Sequence, residues 1–434
     1  MEDVVSIRRE GKIGFGQVFP GRGYATIRRS TSLRESLLLL GAIIFVIFAV
    51  AQGGTRAARS ERTFLNANAK QLWVGAYVPG WNQQRLDPRN DRLLDGITHF
   101  LHFAVYVRPS DGSLELQTNE LTPSKMQALV RAAHGAGKQA LLVVGGEGAA
   151  PGLRIASSPE HLPNTLKSIL SLLDRYGYDG IDVDWEPLAP QDADLYSTFI
   201  ESLRKSLDQT ALHHRRPKPS LTTAIEVNLN KDDYMASLVR TLHKLDEKFD
   251  RINLMTYAMA NPSSLPFVWH NSALYPAVSP EDGLRTPSAD GAVREFFSAG
   301  FQPGKLGIGI NLYGYLWQGQ GLEDISSPGK RWKLPPKVVE LTYGEVVKEY
   351  LKNNPTRWDQ QAEVPYLSIP RTNQFLSYED SRGIEAKLRY VQQNGLGGVT
   401  IWDIGRDDKD ENAKRQLLGV INSAVFLGRA RQIR

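Results

Sequence analysis

Three acidic residues fall at every second position, Asp182, Asp184 and Glu186, in the run DGIDVDWE from Asp179 to Glu186. In a β-strand, residues two apart share a face and lie roughly 6 to 7 Å from one another. Ionised carboxylates so placed repel, and at least one of their pKa values must rise. A carboxyl that keeps its proton near neutral pH is a general acid. Ile181 and Val183 alternate with the acids and point the other way. This is the pattern of a barrel strand whose outer face lies under helices and whose inner face reaches the interior. A solvated acidic turn or a metal-binding loop would have no use for Ile, Val and Trp in alternation.

The elements that must position this strand can be read around it. Apolar strand-like runs begin near Leu72, Ile97, Gln139, Gly180, Ser220, Arg251, Leu306 and Gly397. Most are separated by amphipathic stretches, clearest at Pro123 to Gly135, Leu162 to Tyr176 and Ala193 to Gln209, with apolar residues at three- and four-residue spacing. Eight such βα units predict an α/β fold of the (β/α)8 TIM barrel type, with its active site at the C-terminal ends of the strands. Glu186, Tyr257 and Trp402 fall at such ends. Between the seventh and eighth strands lie about 80 residues, more than a helix and two short loops require. A small α+β insertion is expected there, at about residues 316 to 380.

Further segments repeat a known order along the chain: VGAYVPGWN at Val74 to Asn82, THFLHFA at Thr98 to Ala104, INLMTY at Ile252 to Tyr257, LGIGINLYG at Leu306 to Gly314 and GGVTIWD at Gly397 to Asp403. Between them stand HNSALY at His270 to Tyr275, then VPYL, then FLSYEDSRGIEAK ending at Lys387. With DGIDVDWE as the signature DxxDxDxE, residues 70 to 425 or so resemble glycoside hydrolase family 18, the chitinases and their relatives. The resemblance implies retaining hydrolysis in which the substrate's own N-acetyl carbonyl attacks the anomeric carbon to form an oxazolinium intermediate. It implies Glu186 as acid/base, Asp184 as the acceptor that orients the acetamide N–H, and Asp182 behind it sharing charge and proton. Tyr257 would be a second acetamide contact, and Met255 of the same motif would line the substrate pocket. Trp402 would be the apolar floor under the sugar. The implied substrates are β-1,4-linked N-acetylglucosamine polymers, chitin foremost, with peptidoglycan or an N-linked glycan core as the alternative. The insertion would wall one side of a long cleft.

Two positions depart from the family pattern. Val143 stands where the SxGG motif of the third strand has a serine, so the carboxylates are expected to lose one donor. Ala258 stands where an aspartate usually follows the MxY motif. Both suggest retuned or attenuated catalysis, and they also motivate the reading of a glycan-binding, lectin-like protein without turnover.

Aromatic residues near strand ends, Tyr77, Trp81, Phe103, Tyr313 and Trp317, are candidates for sugar-stacking platforms. Trp81 and Trp317, beside loops rich in Gly, Asn and Gln, are read as sugar contacts; Phe103 is read equally as core or pocket floor. Gly145, Gly146 and Gly148 lack the spacing and the lysine of a phosphate-binding loop, so no nucleotide is expected. The eight histidines form no HExxH or comparable set, and neither metal nor cofactor is implied.

The leader is basic, with seven Lys or Arg against four Asp or Glu in its first 36 residues, and it precedes 15 apolar or glycine residues from Leu37 to Ala51. A spanning helix needs about 20 apolar residues, a secretory core about 7 to 15. Cleavage after Ala51 is expected, an uncleaved anchor being the alternative, with the barrel exported in either case. Residues 52 to 70 read as a linker. Without residues 1 to 51 the net charge falls from +5 to +2, so neither a basic partner surface nor a nucleic-acid partner is supported, and a monomer is expected. The arginines of GRARQIR at Gly428 to Arg434 read as a solvated tail. With no cysteine in 434 residues, stability must come from the core.

Overall fold

Eight parallel strands close on themselves in a computed structural model that describes residues 72–85, 94–215, 217–227, 232–278, 283, 285–407 and 417–424. The expected leader, linker and basic tail lie outside the described residues. The barrel strands are β1 (Trp73–Pro79), β2 (His99–Val107), β4 (Gln139–Gly146), β5 (Gly180–Trp185), β6 (Ser220–Glu226), β7 (Arg251–Met255), β8 (Leu306–Asn311) and β14 (Gly398–Trp402). Each pairs with its neighbour in parallel, and β1 pairs with both β2 and β14, which removes any free edge. A two-residue strand β3 (Leu114–Glu115) extends β2 as an antiparallel ribbon.

Period-two alternation decides which residues meet. Ile181 and Val183 join Val74, Leu142, Leu254, Ile308 and Ile401 in the layer beneath the outer helices. Tyr77, Leu101, Phe103, Leu141, Val143 and Ala224 fill the barrel interior. Asp182 and Asp184 alternate with Ile181 and Val183 and therefore face inward.

The described helices include α1 (Pro123–Gly135), α2 (Ala150–Ala156), α3 (Leu162–Tyr176), α4 (Ala193–His214), α5 (Asp232–Lys244), α6 (Ala289–Ser298), the single turn α7 (Tyr343–Glu345) and α8 (Ser381–Gln393). Local chemistry sets their ends. Thr122 caps α1 through the Lys125 N–H, with Pro123 at the first helical position. Gly177, at φ +78°, ends α3 in the left-handed conformation. On α1, Met126, Leu129, Val130 and Ala133 make the buried stripe.

The insertion is a five-stranded antiparallel sheet, β10-β9-β13-β12-β11, formed by β9 (Tyr313–Gln318), β10 (Lys337–Thr342), β11 (Arg357–Asp359), β12 (Val364–Ile369) and β13 (Gln374–Ser377). It has its own apolar cluster around Phe267, Trp269, Trp317, Val364 and Phe375. Only the buried Leu312 separates β8 from β9. Its N–H donates to the Trp402 carbonyl at 2.9 Å and its carbonyl accepts from the Tyr343 N–H at 3.0 Å. Among the described residues no helix is long and apolar enough to cross a membrane.

Candidate active site

The three acids stand at the C-terminal end of β5, with Asp182 deepest and Glu186 just past the strand. Asp182 is fully buried and takes three hydrogen bonds: from the Tyr77 hydroxyl at 2.8 Å, from the Asn253 amide at 3.3 Å and from the Thr222 hydroxyl. Inter-strand register explains the set. Asp182 lies between Val143 on β4 and Thr222 on β6, so the barrel layer offers a methyl group on one side and a hydroxyl on the other. The donor expected to be lost at Val143 is thus matched by Thr222 and Asn253, neither of which was singled out from the sequence. Burial raises the Asp182 carboxyl to about 6, against the pull of these three donors.

Asp184 and Glu186 share a hydrogen bond. Burial first, then the charges of Glu186 and Asp182, lift Asp184 well above the ordinary carboxylate range. Burial likewise lifts Glu186 to about 7, with Glu226 and Glu147 on the rim adding to the rise. The pair therefore holds a proton at neutral pH and titrates as a unit. The second oxygen of Asp184, Oδ1, is buried and accepts no hydrogen bond from the protein.

Tyr257, at the end of β7, is buried, and its phenol is kept neutral first by burial and then by the charges of Asp184 and Glu186, so it is a donor. Its ring lies over Gly309 of β8, where a Cβ would sit 2.5 Å from Tyr257 Cε1. Gly145 is constrained in the same way on the opposite side: at φ +119° its Cβ would lie 2.0 Å from the Asp184 carbonyl oxygen. Trp402 is half-buried, 4.7 Å from Phe103 and 5.4 Å from Tyr77 between ring centres, both edge-to-face. Trp81 packs edge-on to Phe103 at 5.9 Å, and Met255 lies against the same cluster.

Three aromatic assignments need correction. Trp317 is fully buried in the core of the insertion, 5.7 Å from Trp332, and cannot contact a sugar. Tyr77 is also buried, and it presents its hydroxyl to Asp182 rather than a ring face to substrate. Tyr313 is buried with its ring 6.2 Å from Tyr257, so it supports that ring from the insertion side.

Other residues complete the rim without a signal in the sequence. Arg406 donates to Asp403 at 2.9 Å and to Glu340 of β10, and its guanidinium lies 5.3 Å from the Tyr313 ring centre. It ties the end of β14 to the insertion. An open groove of about 1090 Å³ between α3 and α4, bordered by Leu166, Leu170 and Gln209, contains none of these residues. Among the described residues no group of three His, Cys, Asp or Glu side chains is placed to hold a metal ion.

A closed parallel barrel with clustered, proton-holding carboxyls at one strand end, a neutral phenol beside them and an indole across the opening defines the class of barrel glycosidases. The chain belongs to glycosyl hydrolases family 18, whose sequence profile matches residues 74–407. It is 26% identical over 257 residues to a class V chitinase of Arabidopsis thaliana, covering 58% of this chain and 65% of that protein. It is 23% identical over 403 residues to class V chitinase CHIT5a of Medicago truncatula, covering 88% and 97% respectively. For several other curated relatives the chain spans about half their length or less. Among solved structures, a family 18 N-acetylglucosaminidase from Paenibacillus barengoltzii superposes with a TM-score of 0.67 at 24% identity, over 81% of this chain and 99% of that one. A group IV chitinase of Ostrinia furnacalis in complex with allosamidin gives 0.68 at 21%, over 82% and 99%. At these identities the two structures speak to the fold.

Proposed function

We propose that the protein is an exported hydrolase of β-1,4-linked N-acetylglucosamine polymers, chitin or its oligosaccharides first, acting by substrate-assisted retaining catalysis. The observation that carries this reading is the ladder of Asp182, Asp184 and Glu186, in which a deep, triply hydrogen-bonded acid backs a pair that shares a proton. Such a ladder holds one proton between two adjacent carboxyls, and once that proton is given up through Glu186 an anion remains beside it, which is what a reaction needing one proton donor and one cation stabiliser uses.

In the first step the acetamide carbonyl oxygen bonds to C1 while the C1–O glycosidic bond breaks, and the Glu186 proton goes to the leaving oxygen. Because the one proton the pair shares leaves through Glu186, Asp184 is then the anion: its Oδ1, the buried acceptor without a protein partner, takes the acetamide N–H, and its charge faces the oxazolinium cation. The Tyr257 hydroxyl donates to the acetamide from the other side. Water then adds to C1 on the face the aglycone left while the C1–O bond to the acetamide oxygen breaks and the acetamide re-forms; the water gives its proton to Glu186, restoring both the anomeric configuration and the acid. Trp402 offers an apolar face to the sugar's C–H groups. The basic, apolar leader from Met1 to Ala51 supports export.

The test is reducing-sugar release from chitin oligosaccharides by the full chain and by Glu186→Gln. Turnover by the parent, with loss of about 100-fold or more in the variant, is expected. Tight binding without turnover by the parent would instead favour a lectin-like protein. Release from peptidoglycan or an N-glycan core, with none from chitin, would move the substrate.

A further inference from the structure

Lys387 and Glu379 form an ion pair whose side chains are both fully buried, and no proton transfer or sugar contact above uses them. Taking two charges out of water is costly, and apolar residues of similar volume often serve stability as well. What an apolar pair cannot do is orient a hydroxyl. Lys387 Nζ donates to Ser272 Oγ at 2.6 Å. An ammonium has no acceptor, so the Ser272 hydrogen must point elsewhere, and Ser272 Oγ donates to the Thr256 carbonyl at 2.5 Å. The neighbouring Asn271 accepts the Ala258 N–H on its Oδ1 at 2.7 Å, while its own N–H is held by Ser377 Oγ at 2.9 Å.

Thr256 and Ala258 flank Tyr257. Thr256 is further pinned to β8, its hydroxyl donating to the Gly309 carbonyl at 3.1 Å and accepting the Gly309 N–H at 3.0 Å. Ala258 sits at φ +53°, a conformation an alanine leaves unless it is held. The backbone on both sides of Tyr257 is thus fixed by the segment His270–Ser272, and that segment is oriented from α8 by Lys387.

We propose that Lys387, acting through Ser272, is a positioning residue for Tyr257. Glu379 counters the burial that lowers the Lys387 pKa, and Lys387 Nζ, donating to Ser272 Oγ, leaves the Ser272 hydrogen for the Thr256 carbonyl. The inference rests on the reading of Tyr257 as the second acetamide contact.

Ser272→Ala is the sharper variant because it leaves the ion pair in place. In the full chain acting on chitin tetrasaccharide it is expected to lower kcat roughly 10- to 100-fold with KM within about threefold. In a Tyr257→Phe background it should cost almost nothing more, since the group it positions is already gone. Hydrogen exchange at the Ala258 amide should speed by about tenfold or more, with β5 unaffected. An equal kcat loss in both backgrounds, or unchanged exchange at Ala258, overturns the proposal. If the parent itself does not turn over, the functional reading fails instead, and the exchange measurement still decides whether Ser272 holds this segment.

Discussion

Thr222→Val removes one hydroxyl and keeps the branched shape that suits a buried position on β6. That hydroxyl donates to Asp182 Oδ1. A hydrogen bond to a charged, buried group contributes about 1.5–3 kcal/mol. At about 1.36 kcal/mol per pKa unit, its loss moves the carboxyl from about 6 to about 7 or 8. At pH 7 the ionised fraction then drops from about nine-tenths to between a half and a tenth. On the proposed mechanism, an extra proton on Asp182 removes negative charge from behind Asp184 and so from the ladder that stabilises the cation, and the acidic limb of kcat is expected to move up by about 1 to 2 pH units. Stability should follow with a defined sign. The folded pKa of Asp182 lies above its unfolded value of about 3.9, so its contribution is complete below about pH 4 and is lost as pH rises through about 6. In the variant the loss continues to about pH 7 or 8. Parent and variant should therefore melt closely together at pH 4 and differ by a few degrees at pH 8. Oligosaccharide hydrolysis from pH 4 to 9 and calorimetric melting at the two pH values read both effects. An acidic limb that stays in place, with the same melting difference at pH 4 and pH 8, would refute the coupling of Thr222 to the ladder.

Three other outcomes are expected. Because Glu186, held near 7, must be protonated to act, kcat/KM of the parent should fall about tenfold per pH unit above that value; a flat profile from pH 5 to 9 would remove Glu186 from the role. Asp184→Asn should lower kcat far more than it weakens oligosaccharide binding, as titration calorimetry beside kinetics would show, and equal losses in both would count against acetamide orientation. Trp317→Ala should cost about 3–5 kcal/mol of stability with KM unchanged in the folded protein, whereas Trp81→Ala should raise KM with little change in melting; the reverse pattern would restore Trp317 as a sugar contact.

The barrel and its acids were legible because both are written in short-range periodicity. Alternation alone assigns Asp182 and Asp184 to one face and Ile181 and Val183 to the other, and strand–helix alternation gives eight βα units. Relations across strands were not legible. The pairing of Asp182 with Val143 on one side and Thr222 on the other is a matter of register, so a serine missing from β4 looked like a lost donor while its counterpart lay on β6. Trp317 was misplaced for a related reason. Its position beside Gly and Gln fits a cleft edge as well as a hairpin, and only its alignment with Val338 and Phe375 shows that it points into the insertion core. Tyr77 was correctly brought to the site but misread in use, since a tyrosine's ring and hydroxyl serve different ends and the sequence does not say which end faces the carboxylate. Arg406 and Glu340 meet across 66 positions of chain, a separation no local pattern reports.

The single residue Leu312 between β8 and β9 has a consequence for how such a protein can change over generations. With no flexible tether, the insertion sheet inherits its placement from the barrel strand itself, and Leu312 is fastened to Trp402 on one side and Tyr343 on the other. A lineage therefore has little freedom to tilt this sheet without disturbing Trp402. The stretches Gly319 to Pro336 and Lys352 to Thr356, which join strands within the insertion, carry no such tie to β14. Sequence change is most readily absorbed there, and a chimera that exchanges those tips while keeping Leu312 should leave the barrel and its acids in place.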